Sequence, residues 1–378
     1  MHRLENFLII GSAGRNSGKT ELACRLINKF KVHKDITAVK ITTVEKADGT
    51  CPRGGSGCGV CSSLDKEFLI TRETSGEPGK DTSRLLEAGA KKVFWLRVLK
   101  SSLKKGLAAL LDTVGKNSLC ICESNSSRLH IEPGIFLVVK EKKIEKIKAS
   151  CSRVLHFADR IIEFDFEKGK LDIALDDIYL LKNRWILRLN ASAIILVGGK
   201  SRRMGRDKSN LTVAGKTMLE HIYQNLKPFF SEVLIGVRAN GKSAIIPGTI
   251  SVRDEMPGRG PLMGILSCLK ASENELNFVI ACDIPEIDYG LLMKLFRDTT
   301  GFDAVVPMTE NKEYEPLFGL YHKRIIPKIE EVLKKGERKV TRIFPELRVK
   351  FIPIREEDSL TNLNTPEEFN RFLQRTKL

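Results

Sequence analysis

The sequence predicts an α/β protein made of two doubly wound domains, each with a mostly parallel sheet between helices. Three observations support this fold class. Short apolar runs alternate with longer amphipathic segments along the 378 residues, as in parallel strands joined by helices. A glycine-rich loop with cationic side chains follows the first apolar run of each half. Because ligands collect at the carboxyl ends of parallel strands, both loops stand where a binding site is expected.

The individual elements follow from these runs in chain order. Apolar runs in the first half predict strands at Phe7–Ile10, Thr37–Ile41, Val93–Leu96, Leu119–Cys122 and Ile135–Val139. Those in the second half predict strands near Ala193–Val197, Glu232–Val237, Phe278–Ala281, Ala304–Val306 and Phe318–Tyr321. Amphipathic periodicity predicts helices near Lys19–Phe30, Leu103–Val114, Met218–Leu226, Leu262–Ala271, Tyr289–Phe296, Ile325–Lys334 and Pro366–Gln374. We expect two domains, residues 1–185 and 190–378.

Composition narrows the class of partner. The net charge of +16 suits a polyanionic partner, either nucleic acid or phosphorylated small molecules. Phosphorylated small molecules are favoured, because the chain has five Tyr and two Trp and no stretch that interleaves basic and aromatic residues. No apolar run approaches the ~18 residues of a membrane helix, and Phe7–Ile10 is too short for a signal peptide. We therefore expect a cytoplasmic protein that binds neither nucleic acid nor membrane.

The loop after the first apolar run of the second half combines glycines with cations. It reads Leu-Val-Gly-Gly-Lys-Ser-Arg-Arg-Met-Gly-Arg-Asp-Lys from Leu196 to Lys208. Gly198 and Gly199 let backbone N–H groups approach a ligand, because no Cβ intervenes. Arg203 and Lys208 can meet phosphate oxygens. The segment predicts a bound nucleoside triphosphate, and the alternative is a basic surface loop.

This segment resembles the signature L-x-G-G-x-S-x-R-M-G-x-D-K of the MobA family, the molybdenum cofactor guanylyltransferases, and the likeness extends over residues 190–378. The resemblance implies a Rossmann-like nucleotidyltransferase that moves GMP from GTP to molybdenum-molybdopterin and releases pyrophosphate. It places Leu196, Gly198 and Gly199 at the nucleotide, and it makes Arg203 and Lys208 catalytic.

A metal ligand is predicted where another strand of this half ends. Phe278-Val-Ile-Ala-Cys-Asp283-Ile-Pro285 is an apolar strand that ends in an acid. A carboxylate at the carboxyl end of a strand faces the ligand crevice, and Mg²⁺ is held by one or two carboxylates and substrate phosphates. The segment resembles the family motif C-D-x-P, whose aspartate binds Mg²⁺. The alternative for Asp283 is a helix N-cap.

Selection of the base is assigned to a second acid. The segment Asp254–Gly264 resembles the family pattern D-x(5,6)-G-P-L-x-G, which implies that Asp254 helps to recognise the base, with Asn240 nearby. A carboxylate can accept two N–H bonds from guanine. The alternative for Asp254 is a turn residue. Family members that use CTP carry Ala-Ala where this chain has Gly198-Gly199, so GTP is favoured and a cytidylyltransferase is the alternative.

Two later segments resemble the acceptor side of the family. Glu315-Pro-Leu-Phe-Gly-Leu-Tyr321 is similar to the strand P-L-x-x-x-Y, and Thr361–Glu368 is similar to the ending N-x-N-T-P-E. The resemblance makes Asn362 and Asn364 candidate contacts to the pterin phosphate. Thr365 and Glu368 also fit a capping box, which could explain much of the second segment without function.

The loop of the first half has the form of a P-loop. Ala13-Gly-Arg-Asn-Ser-Gly-Lys-Thr20 follows an apolar run and opens a predicted helix, as the motif requires. Backbone N–H groups around Gly14, Ser17 and Gly18 would wrap phosphates, Lys19 would meet the β/γ oxygens, and Thr20 would bind Mg²⁺. Later in the half, Glu123 ends a predicted strand, where it could orient Mg²⁺ or water or cap a helix.

The first half resembles MobB, a P-loop partner of MobA, and so implies an N-terminal P-loop NTPase-like domain fused to the transferase. Beyond the loop, the likeness rests on Pro-Gly-Lys-Asp-Thr-Ser at residues 78–83, on Ala88-Gly-Ala90 and on Lys40. It implies GTP binding. The alternative is a non-catalytic module that delivers the cofactor to molybdoenzymes or their chaperones.

Three of the nine cysteines stand together in a glycine-rich stretch of the first half. Cys51, Cys58 and Cys61 could give three thiolates to Zn²⁺ or to an iron–sulfur cluster. Free thiols are the alternative. In a cytoplasmic chain, cysteines are more often thiols or metal ligands than disulfides.

Overall fold

The computed structural model describes most of the chain. The described residues are 2–14, 17–45, 64, 66–74, 76–77, 79–143, 147–197, 212–213, 215–240, 246–297, 299–354, 360, 362–363 and 365–376. They fold into two compact units, Met1–Leu187 and Arg188–Leu378.

The first unit is an α/β unit with more elements than the sequence predicts. Its strands are β1 (His2–Ser12), β2 (Ile36–Val44), β3 (Phe68–Arg72), β4 (Lys92–Leu99), β5 (Leu119–Glu123), β6 (Ile131–Glu141), β7 (Arg160–Asp165), β8 (Lys170–Leu171), β9 (Ile178–Leu181) and β10 (Arg184–Leu187). Its helices are α1 (Lys19–Phe30), α2 (Asp81–Glu87), α3 (Leu103–Val114) and α4 (Ala149–Ser152).

The first eight of these strands form one mixed sheet in the order β3-β4-β2-β5-β1-β6-β7-β8. Pairing is parallel except at β3-β4 and β7-β8. Successive side chains of β1 point to opposite faces: Leu8 and Ile10 pack with the buried residues of α1, and Phe7 and Ile9 pack with those of α3. Helices therefore cover both faces, as the alternating sequence pattern predicts.

The second unit repeats the architecture with a different strand order. Its strands are β11 (Leu189–Val197), β12 (Thr212–Val213), β13 (Lys216–Thr217), β14 (Phe230–Val237), β15 (Ile250–Arg253), β16 (Leu276–Ala281), β17 (Ala304–Thr309), β18 (Phe318–His322) and β19 (Val349–Ile354). Its helices are α5 (Met218–Leu226), α6 (Pro261–Ala271), α7 (Tyr289–Arg297), α8 (Ile326–Lys334) and α9 (Pro366–Thr376).

Seven of these strands form a sheet in the order β15-β14-β11-β16-β18-β17-β19. Only β18 runs antiparallel to its neighbours, β16 and β17, among the described pairs. Consecutive residues Ile194 and Ile195 of β11, an interior strand, are both fully buried, so the sheet is covered on both faces. Within the described residues, no helix combines the length and the apolar character needed to cross a bilayer.

Candidate functional site

The central strands of the second sheet end at a common level, which we call the carboxyl-end edge. Leu196 of β11 lies beside Gly236 of β14 and beside Ala281 of β16, and all three strands are parallel. On the far side of β14, Arg253 of β15 lies beside Val237. The segments that follow these four strands therefore leave the sheet at the same edge, where α/β sheets bind ligands.

Asp283 lies two residues beyond β16 at this edge and is partly exposed. The N–H of Cys282 donates to the carbonyl of Leu196 at 3.1 Å, which ties the turn to β11. The carbonyl of Asp283 accepts the N–H of Leu363 at 2.8 Å. The backbone thus fixes Asp283 between β11 and the segment before α9.

Glu315 is a second carboxylate at the same place, which the sequence reasoning did not single out. It precedes β18, whose antiparallel course brings its amino end to this edge, where the N–H of Ala281 donates to Leu317. The pKa of Glu315 is raised by burial, against a hydrogen bond from Asn362 that lowers it, and the charges of Glu313 and Asp283 raise it further. The structure therefore brings Asp283, Glu315 and Asn362 together.

Asp254 stands on the other side of β11, directly after β15. Its N–H donates to the carbonyl of Val237 at 2.9 Å. Burial raises the pKa of its carboxyl to about 6, against the opposing charge of Arg238. An ideal Cβ on Gly264 of α6 would lie 3.4 Å from Asp254 Oδ1 and 3.1 Å from Leu196 Cδ2, so the absence of a side chain there lets α6 approach closely.

The other predicted residues of this half fall into two groups. The side chain of Leu196 lies in the hydrophobic core with α6, and Asn240 is exposed three residues after β14. The remaining candidates lie outside the described residues: Gly198, Gly199, Arg203, Lys208 and Asn364.

The capping box predicted before the last helix is present. The N–H of Glu368 donates to Thr365 Oγ1 at 3.2 Å, and the N–H of Thr365 donates to Glu368 Oε2 at 2.9 Å. Local helix capping therefore accounts for these two side chains.

Comparison with known proteins agrees with this geometry. Residues 193–350 match the model of the MobA-like NTP transferase domain. A relative from Carboxydothermus hydrogenoformans, named probable molybdenum cofactor guanylyltransferase, is 34% identical over 49% of this chain and 96% of its own length. The chain belongs to the MobA-like nucleotidyltransferase family. It is therefore a nucleotidyltransferase.

Two further relatives also match about half of this chain and nearly all of their own length. A molybdenum cofactor guanylyltransferase from Vibrio vulnificus is 32% identical over 48% of this chain and 95% of its own length. A solved structure from Archaeoglobus fulgidus, titled molybdopterin-guanine dinucleotide biosynthesis protein A, is 23% identical over 49% of this chain and 98% of its own, with a TM-score of 0.42. The family match lies in the second unit, which we call the MobA-like unit.

The first unit contains a cleft of about 950 Å³ at the loop between β1 and α1. All five described candidates of the predicted P-loop line it: Gly14, Ser17, Gly18, Lys19 and Thr20. The loop ends at Gly18, whose φ of 82° is open to glycine, and α1 begins at the next residue. The strand, loop and helix therefore occur in the order that a phosphate cradle needs.

Glu123 ends β5, the strand beside β1, and is buried with 0% exposure. Its carboxylate lies 3.6 Å from the ammonium of Lys19. Among the described atoms, neither carboxylate oxygen has a hydrogen-bond partner. The structure thus gives Glu123 an ion pair with the loop lysine, and it caps no described helix.

Lys40 of β2 faces the same cleft. It forms a short ion pair with Asp81 of α2. Burial disfavours the charged Asp81 carboxylate, but the hydrogen bond and charge of Lys40 outweigh burial, and the net pKa of Asp81 lies below its ordinary value. Lys148 also lines the cleft and donates to Ser12 Oγ at 2.9 Å.

The cysteine cluster Cys51, Cys58 and Cys61 lies outside the described residues. Five of the described cysteines are free thiols, at Cys24, Cys120, Cys122, Cys151 and Cys268. Within the described part of the chain, no group of three or more His, Cys, Asp or Glu side chains is arranged to hold a metal ion.

Proposed function

We propose that the MobA-like unit transfers GMP from GTP to molybdenum-molybdopterin, giving molybdopterin guanine dinucleotide and pyrophosphate. The observation that carries the proposal is the pair of carboxylates, Asp283 and Glu315, at the edge where the glycine loop leaves β11. The names of the Carboxydothermus and Vibrio relatives support the choice of substrates.

The chemistry assigns each residue a task. A phosphate oxygen of the pterin attacks the α-phosphorus of GTP, and the bond to pyrophosphate breaks. Such transfers depend mainly on alignment and on neutralisation of charge. Arg203 and Lys208 would neutralise the triphosphate, and Gly198 and Gly199 would offer N–H donors to the nucleotide.

The donor set at Asp283 fits Mg²⁺. Hard divalent cations prefer carboxylate oxygens, and Asp283 is partly exposed beside a second carboxylate, Glu315. The pKa of Glu315 is raised by burial and by the charges of Glu313 and Asp283. Asp283 would hold the ion, and Glu315 would add a second oxygen ligand. The ion, when bound, would neutralise charge on the phosphates.

Base and acceptor would lie on opposite sides of β11. Asp254, after β15, would accept N–H bonds from guanine, with Asn240 of the neighbouring loop nearby. Asn362 would contact the pterin phosphate together with Asn364. The hydrogen bond from Asn362 to Glu315 supports this placement, because it links the acceptor side to the carboxylate pair.

We further propose that the first unit is a MobB-like P-loop domain that binds GTP with Mg²⁺. Lys19 would meet the β/γ phosphates, and the Thr20 hydroxyl would bind the ion. The ion pair of Lys19 with buried Glu123 supports a site built for charge. A non-catalytic delivery module is the alternative for this unit. In either case, Cys51, Cys58 and Cys61 would be the ligands of Zn²⁺ or of an iron–sulfur cluster.

Incubation of the protein with α-labelled GTP or CTP and loaded pterin tests the transferase proposal. We expect labelled dinucleotide from GTP, and a loss of at least about 100-fold in Asp283→Asn, because charge stabilisation of the transition state is removed. Asp288→Asn is the matched control: Asp288 accepts the Leu291 N–H at 3.0 Å, and Asn preserves such a contact. Selective use of CTP would overturn the choice of GTP.

Lys19→Ala tests the role of the first unit. If the two sites work separately, the variant loses nucleotide binding and hydrolysis in the first unit and keeps guanylyl transfer. Hydrolysis that is already absent from the unaltered protein would favour the delivery module.

A further inference from the structure

Two phenylalanines at the end of β7 line the cleft of the first unit. They are Phe164, which is almost fully buried, and Phe166, which is 64% exposed. Their ring centroids are 6.0 Å apart and their planes lie at 89°. A large aromatic side chain with this exposure, at the rim of a cleft, has an unoccupied face that a flat ligand can cover.

The inner ring is fixed against the phosphate-binding loop. An ideal Cβ on Gly18 would lie 2.5 Å from Phe164 Cγ, so the ring packs directly on the backbone of the last glycine of the loop. Phe166 lies two residues further along the chain, and its ring contacts the Phe164 ring. The aromatic pair therefore extends outward from the end of the phosphate cradle.

The turn that carries Phe166 is tied to α1. Asp165 Oδ1 accepts the N–H of Lys168 at 3.1 Å, which closes the turn. Arg25 of α1 donates to the carbonyl of Gly169 at 2.8 Å. Phe166 thus has a defined position relative to the helix whose first residue is Lys19.

The cleft has a charged side and a side with an exposed aromatic ring. In the sheet order β2-β5-β1-β6-β7, the loop strand β1 stands between the two. Lys40, Asp81 and Trp95 line the cleft on the β2 side, where the cations of Lys40 and Arg97 lie over the Trp95 ring. Phe164 and Phe166 line it on the β7 side. A nucleoside triphosphate has the same polarity, with a charged phosphate chain at one end and a flat aromatic base at the other.

We propose that Phe166 stacks on the base of the nucleotide whose phosphates the loop of the first unit holds. This role depends on the proposed binding of a nucleotide by that loop. Stacking is tolerant of base identity, because every base has a π face. Phe166 therefore supplies affinity for the nucleoside, while the loop supplies affinity for the phosphates.

Calorimetric titration of the full chain with Mg-GTP and with Mg-tripolyphosphate tests the assignment, with Asp254→Asn introduced throughout to weaken GTP binding at the MobA-like unit. In this background, Phe166→Ala is expected to weaken GTP binding at the first site about tenfold and to leave tripolyphosphate binding unchanged. Phe166→Tyr keeps the stacking face and is expected to restore GTP affinity.

Ile161→Ala is the matched control, since Ile161 is an apolar residue of β7 that is 47% exposed and does not line the cleft. Unchanged GTP affinity in Phe166→Ala, or an equal loss for GTP and tripolyphosphate, would overturn the stacking role. If Lys19→Ala still abolishes binding in that case, the proposed P-loop function stands without it. If the parent protein binds neither ligand at a site sensitive to Lys19→Ala, both proposals fail.

Discussion

The two units share an α/β architecture and differ in where they place charge. In each, a glycine loop follows the first strand of a largely parallel sheet. The first unit opposes its loop lysine, Lys19, with a fully buried carboxylate, Glu123. The MobA-like unit places partly exposed carboxylates, Asp283 and Glu315, at the corresponding edge. The carboxyl ends of parallel strands thus mark the ligand site in both units. The burial of the charges at that site determines how strongly they affect the free energy of unfolding.

The buried pair of the first unit gives the largest expected effect. In Lys19→Met, the Glu123 carboxylate stays buried without its partner, so the free energy of unfolding of this unit should fall by about 3 kcal/mol. Lys19→Met combined with Glu123→Gln should recover most of the loss, because no lone charge remains. Urea unfolding followed by circular dichroism measures both.

Lys105→Met is the control for that pair. Lys105 forms an ion pair with Glu67 on the surface, and such pairs contribute little to stability. We expect no measurable change. If Lys19→Met/Glu123→Gln is as unstable as Lys19→Met alone, the buried charge of Glu123 is not the cause of the instability. The proposed difference between the two units would then be wrong.

The carboxylates of the MobA-like unit should instead appear in its pH dependence. The pKa of Asp254 is raised from 3.8 to about 6, so the carboxyl is largely protonated at pH 5. If only the carboxylate accepts N–H bonds from guanine, the KM for GTP should be about tenfold higher at pH 5 than at pH 8. Steady-state transfer assays across this range measure it, and Asp254→Asn should flatten the profile.

The same shift acts on stability with a definite sign. A raised carboxyl pKa favours the folded state below the unfolded value of 3.8, and this contribution is lost as pH rises through about 6. Nucleotide affinity should therefore rise over the interval in which this contribution to stability falls. A KM that is flat between pH 5 and 8 in the parent protein would rule out Asp254 as the base contact.

The smallest effect is expected at Gly264. A Cβ there would meet Leu196 at 3.1 Å and Asp254 at 3.4 Å, so neighbours must move by a few tenths of an ångström. Gly264→Ala should raise the KM for GTP roughly threefold by displacing Asp254. Gly106→Ala adds a methyl to a crowded helix of the first unit, 2.9 Å from Val98, and should leave this KM unchanged. Equal KM changes in both variants would count against a local effect at Asp254.

The sequence predicted the buried strands and the amphipathic helices well, because apolar runs and helical periodicity mark them directly. The helices Lys19–Phe30 and Leu103–Val114 begin and end where expected, and all ten predicted strands are present, most of them longer by a few residues. It missed β7 to β10, since residues 160–187 alternate apolar and charged residues in runs too short to stand out. It also missed the strands β3, β12, β13, β15 and β19 and the short helices α2 and α4.

Part of the site followed from strand ends, and part needed the fold. Asp283 was predictable, because it follows an apolar run predicted as a strand, and the end of a parallel strand marks the ligand edge. Asp254 was proposed only from its resemblance to the family pattern, and the strand before it, β15, was not predicted. Glu315 was not predictable, because it precedes its strand and reaches the edge only since β18 runs antiparallel. For Glu123, the sequence left a cap and a metal or water contact open, and its burial beside Lys19 depends on the neighbouring strand.

The chain has two tryptophans, and both fall in the first unit. Trp185 is buried in the last strand of that unit, with its indole N–H donating to the carbonyls of Asn6 and Cys120 at 3.0 and 3.1 Å. Indole fluorescence of the unlabelled protein will therefore follow the melting of the first unit alone. A preparation truncated before Trp185 would lose that anchor, so a separately expressed first unit should extend through Leu187.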